Sequence, residues 1–166
     1  MAEFAVNPQR RDPYKNFRFR VMWDGKYVPA VSQVSTLQRT TEVVLHRDGG
    51  EPNLSRRTPG MTVFAPVVLS RGRTQDGAFE DWANLVWSYG AAQDIALKDF
   101  RKNVTIEFDN EAGQPALKYI VYRCWPSEYI ALPQLDANAE TVALETLVLQ
   151  HEGWARDPGL AEPAEV

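Results

Sequence analysis

Cys124 is the one residue whose type suggests a nucleophile, and it stands between Arg123 and Trp125. A neighbouring guanidinium can lower a thiol's pKa and activate it. A lone cysteine in an aromatic strand reads instead as a small buried hydrophobe. His46 and His151 are the two histidines, both placed at strand ends, so a metal site would have to lean on carboxylates. The carboxylates are scattered through turns and polar strand faces, and no spacing singles out an acid–base pair. Gly49-Gly50 and Gly113 do not sit between a strand and a helix as a phosphate loop requires. There is no Gly-x-Ser-x-Gly elbow. Arg10-Arg11, Arg18 with Arg20, and Arg56-Arg57 are basic clusters diluted by acidic neighbours, and they read as solvated faces. The residues therefore predict no catalytic set, no metal and no cofactor.

The chain around these residues has 166 residues, about one domain. Its 18 basic and 22 acidic residues give a net charge of −4, which argues against nucleic-acid binding through bulk positive charge. One cysteine excludes an intrachain disulfide. No apolar run approaches the ~20 residues of a membrane helix, and the first residues lack the apolar core of a secretory signal. The expectation is a soluble domain made in the cytosol.

Strict alternation at Phe17, Phe19, Val21 and Trp23 predicts a half-buried strand, and Asp24-Gly25 predicts a hairpin turn. Pro29 marks the next strand as an edge or a bulge. Thr41–His46 is a third strand, followed by a long polar loop over 47–60, and Thr62–Ser70 reads as a further strand. Phe79, Trp82, Ala83, Val86 and Trp87 fall on one helical face, with Asp76 as a cap and Gly90 as a stop. Phe79, Trp82, Val86 and Trp87 are accordingly expected to pack in the core. Residues 91–100 read as a loop or a helical turn. Val104–Phe108, Leu117–Trp125 and Thr141–His151 complete about seven strands. A sandwich or small barrel of two packed sheets with one helix follows. Residues 1–14 read as an arm, 15–154 as the domain and 155–166 as a flexible tail. Exposed sheet edges and a long loop suit a domain that builds with copies of itself.

Several stretches resemble the tail-tube protein family of contractile phages and extracellular contractile injection systems. They are Asp12 to Val21, Trp23-Asp24-Gly25, Thr40 to Val44, His46 to Gly50, Arg71-Gly72, Val121 to Tyr129, Leu132-Pro133, Leu135 to Asn138 and Glu152-Gly153-Trp154. The resemblance runs from about residue 12 to residue 157. It implies a mainly β fold, a barrel of two roughly orthogonal antiparallel sheets with one flanking helix. It implies hexameric rings that stack into an inner tube, a sheath protein around it, and baseplate and spike proteins at one end. Sheath contraction would drive the tube, with any lumenal cargo, through a target envelope. Assembly would take place in the bacterial cytoplasm, in a phage tail-like particle that can be released outside the cell. The family's extended loop corresponds to His46, Arg47, Asp48, Gly49, Gly50, Glu51, Pro52, Asn53, Leu54, Ser55, Arg56 and Arg57, which would reach a neighbouring subunit or ring. A small-ligand-binding β-barrel is the alternative, and it would need a roomy apolar interior.

Overall fold

Asp24 and Gly25 both take positive φ, 51° and 72°, the conformation a two-residue hairpin turn needs. They join β1 (Phe19–Trp23) to the edge strand β2 (Lys26–Tyr27). Val21 and Trp23 point inward from β1, as the alternation predicts. The computed structural model describes residues 4–10, 12–50, 53–90 and 100–164. Among the described residues the remaining strands are β3 (Val31–Val34), β4 (Arg39–His46), β5 (Arg56–Phe64), β6 (Val67–Gly72), β7 (Lys102–Asp109), β8 (Pro115–Ile130), β9 (Leu144–Gln150) and β10 (Trp154–Arg156), with one helix, α1 (Ala78–Gly90).

Seven strands form one antiparallel path, β2-β1-β7-β8-β9-β6-β3, and β10 adds on β8 as the eighth strand of the sheet. The path is two half-sheets sharing one long strand. Residues 119–121 of β8 pair with both β7 and β10, whereas Trp125–Ile130 pair with β9. At the corner between them Arg123 takes φ 52°, and its N–H is satisfied by Asn103 Oδ1 at 2.9 Å. An irregularity of this kind bends a strand and redirects its side chains. The path ends at β2 and β3, which do not pair with each other, while β4 and β5 form a separate two-stranded sheet.

Both half-sheets and α1 contribute to one core, which includes Val21, Trp23, Leu69, Phe79, Trp82, Val104, Ile106, Val121, Leu147 and Leu149. Trp23 stacks at 4.9 Å from Trp82 and 5.8 Å from Phe79, and the Trp82 indole donates to Phe100 O at 2.7 Å.

Three expectations need correction. The segment Thr62–Ser70 is two strands, because Pro66 cannot donate to a ladder and separates β5 from β6. Residues 56–60, expected in the loop, belong to β5 and pair with β4. The tail is not frayed where it leaves the domain, since β10 pairs with β8 and Asp157 N donates to Lys118 O at 2.8 Å. Further on, Glu162 accepts the N–H groups of Val6, Asn7 and Ala5, which hold its carboxyl below the usual range and tie the tail to the N-terminal arm. The expected turn at 91–99 and the loop residues Glu51 and Pro52 lie outside the described residues.

Candidate assembly surface

The candidate chemical residues do not converge. The Cys124 side chain is fully buried, and burial pushes its thiol up to about 12, so it is held as an unreactive thiol. His46 Nε2 lies 3.1 Å from Asp48 Oδ1 on an exposed turn. His151 makes two contacts to backbone, with Ala65 O and Gly153 N. Arg20 binds Asp109 at 3.0 Å, Arg18 donates to Glu111 O, and Arg10 stacks over Phe4 and Tyr14, so these cations do not form one anion site. Among the described residues, no group of three or more His, Cys, Asp or Glu is placed to hold a metal ion.

Sequence reasoning missed one buried polar cluster. Arg71 and Glu145 are both wholly buried, and Arg71 Nε donates to Glu145 Oε1. Arg73 Nη1 and the Tyr129 hydroxyl donate to Glu145 Oε2 at 2.7 and 3.0 Å, and Arg71 Nη2 donates to Asp76 O at 2.6 Å. The Arg71 guanidinium lies 4.3 Å from the Phe79 ring centroid. Burial, then the Glu145 carboxylate, raises the Tyr129 phenol above its ordinary value. Asp76 also caps the helix by accepting Ala78 N–H at 2.8 Å. The cluster is a brace that fixes the start of α1 against β6, β8 and β9.

Two of the four expected core positions on α1 are fully inside. Phe79 and Trp82 are buried, and Val86 is half-buried. Trp87 is 79% exposed, contrary to expectation. It falls one residue past Val86, at the edge of the apolar stripe, and lines a groove between α1 and residues 126–129 of β8.

The β4–β5 hairpin carries a run of exposed apolar residues. All eight residues of β4 are exposed, and so are Arg56 to Pro59 and Met61 to Val63 of β5. Val43, Val44, Leu45, Met61 and Val63 are each 46–67% exposed. His46 pairs with Arg56 and Leu45 with Arg57, so these loop candidates are strand residues. Arg47, Asp48, Gly49, Gly50, Asn53, Leu54 and Ser55 form the described part of the tip, where Leu54 is 63% exposed. A pairing irregularity sits between Thr41 and Val43. Opposite it, a Cβ on Gly60 would come within 2.9 Å of Val44 Cγ2, so the side chain of Val44 occupies the space that glycine leaves. A two-stranded ribbon of this kind is marginal in water on its own. Exposed strand residues of this type mark a contact surface.

The T4-like virus tail tube protein gp19 family matches residues 15–155. No curated protein matches by sequence. Among solved structures, a chain of the anti-feeding prophage baseplate is similar with a TM-score of 0.73 and 22% identity, covering 95% of this chain and 100% of that one. A chain of the anti-feeding prophage tube-terminating cap gives 0.74 and 23%, covering 89% and 93%. A chain of the sheath–tube complex of the PVC extracellular contractile injection system, in its extended state, gives 0.72 and 22%, covering 87% and 91%. These likenesses show the fold.

Proposed function

The chain belongs to the T4-like tail tube protein family, and from that premise we propose that it forms hexameric rings that stack into the inner tube of a contractile injection system or contractile phage tail. Members of this family are structural tube proteins, so the chain is a tube protomer and not an enzyme. In the proposed assembly the two half-sheets pack as a barrel of roughly orthogonal sheets over residues 15–154. The arm at 1–14 and the tail at 155–166 are further contact elements. A sheath surrounds the tube, baseplate and spike proteins close one end, and cargo occupies the lumen. The particle assembles in the bacterial cytoplasm and acts from outside the target cell. No described helix is long and apolar enough to cross a membrane.

The observation that supports this reading best is the β4–β5 hairpin, with apolar residues left largely exposed along both strands and no pairing to another strand among the described residues. A neighbouring copy would bury Val43, Val44, Leu45, Met61 and Val63. Asp48, Arg56, Arg57 and their neighbours would set register, since rim charges steer association more than they add affinity. The same contact repeated between copies gives a ring or a filament according to whether the rotation closes. A ligand barrel would instead need a roomy apolar interior; Trp23, Phe79, Trp82 and aliphatic side chains pack together in the core, and beside them remains a partly open pocket of about 350 Å³ lined by residues that include Phe19, Val34, Leu37, Phe108 and Trp154. Sedimentation velocity over a range of concentrations tests the reading. Six-copy and larger species are expected, and a monomer at every concentration would argue against it.

A further inference from the structure

Among the described residues the strands β4 and β5 pair only with each other, so the direction in which the hairpin leaves the body is set at its root. The Glu152-Gly153-Trp154 stretch lies at that root. His151 Nε2 is 2.8 Å from Ala65 O, and Gly153 N donates to His151 Nδ1 at 3.2 Å. A carbonyl can only accept and an amide N–H can only donate, so the imidazole carries its proton on Nε2 and its lone pair on Nδ1. The ring also packs on Phe64, with centroids 5.7 Å apart. Gly153 has φ 134°, and a Cβ there would meet Phe64 Cζ at 3.3 Å. Phe64 and Ala65 are the last residue of β5 and the first of its exit. The other strand is held by the same turn, with the Arg39 guanidinium 5.7 Å from the Trp154 ring centroid, and Ala65 N donates to Gln38 O at 3.1 Å.

We propose that the β9–β10 turn aims the hairpin, with His151 and Gly153 as positioning residues for assembly. This rests on the reading of the hairpin as the assembly element. His151 holds the hairpin exit through one donated hydrogen bond, and Gly153 leaves room for the Phe64 ring.

Paired spin labels test it on the full chain, at Asn53→Cys on the tip and Glu128→Cys on β8, both exposed positions. His151→Gln can place an N–H where Nε2 stands, whereas the shorter His151→Asn can place its Oδ1 near Nδ1 but its amide N–H falls short of Ala65 O. The expected result is a narrow distance distribution in the parent and in His151→Gln, and one broadened about twofold or displaced in His151→Asn and Gly153→Ala. Tube yield should fall about tenfold in His151→Asn, the equilibrium equivalent of one hydrogen bond of about 1.4 kcal/mol, and should also fall in Gly153→Ala through the crowding of Phe64. Identical distributions in all four proteins overturn the proposal, as does His151→Gln behaving like His151→Asn. That contrast decides the matter even where Gly153→Ala fails to fold. A control with residues 48–57 replaced by a Gly-Ser linker separates the two readings. If the control still builds tubes, the hairpin's assembly role fails, and with it the tube-yield expectation. If the control does not and His151→Asn builds them normally, only the positioning role fails.

Discussion

Trp82 and Trp87 lie five residues apart on α1 and are expected to respond oppositely to truncation. Trp82 is 1% exposed, stacks on Trp23 and donates to Phe100 O. We predict that Trp82→Ala costs ~3–5 kcal/mol, as large-to-small core changes do. Trp87→Ala should change the stability of the isolated subunit by less than ~0.5 kcal/mol, as exposed positions do, and should act on assembly if it acts at all. Urea midpoints of the two variants, measured on the monomer, check this. Cys124 carries a second prediction. Its folded-state thiol keeps its proton to about 12, whereas an unfolded thiol loses it near ~8.5. The native state therefore binds more protons across that interval, and its contribution to stability, fully present below ~8.5, falls as pH rises toward 12, by at most ~1.4 kcal/mol per pH unit. Denaturation at pH 8 and pH 10, compared with Cys124→Ala, should show the steeper loss in the parent protein. An equal slope in both would remove the thiol from the account. The Arg71–Glu145 pair had no signature in the sequence, because the partners are 74 residues apart and each alone reads as an ordinary polar position on a strand.

At the scale of elements, the hairpin β4–β5 depends on Gly60. A methyl group there would meet Val44 Cγ2 at 2.9 Å and Glu42 O at 3.2 Å. Gly60→Ala is expected to disturb the ribbon at a cost of ~1–3 kcal/mol, with the body intact. Amide exchange should accelerate in residues 39–46 and 56–64 and stay unchanged in β6, β7 and β9. Acceleration throughout would mean that the ribbon and the body fold as one unit. The same hairpin shows where sequence reading stops. β1 and α1 are legible because one side of each faces the core, so apolar residues recur at period 2 and period 3.6. β5 has nearly every residue exposed. With no core face to mark, Arg56 to Gly60 has no apolar alternation, and its proline and glycine read as loop. Pairing with β4, which is a matter of backbone, decides its state. The continuity of β8 through Pro126 was half legible. The strand tolerates proline three residues past its corner because the register with β9 shifts there, between Pro126 and Glu128.

At the scale of the whole molecule, the β4–β5 hairpin is the proposed contact element, and the rest of the domain is expected to fold without its tip. Replacing residues 48–57 with a short Gly-Ser linker removes none of the core side chains. The far-ultraviolet circular dichroism of that variant is expected to keep its strand signal, and long tubes are expected to be lost. Normal tubes would reassign the contact to another surface, and an unfolded variant would place the tip within the folding unit. A structural role was legible in the residues themselves, and the tail tube family match over residues 15–155 bears it out. Ring order was legible only through the resemblance, because nothing in one chain encodes how many copies close a circle. Electron microscopy of the purified full-length chain at high concentration tests the central claim most directly. The account predicts six-fold rings and their stacks into hollow tubes, and particles of single-subunit size in every field would contradict it.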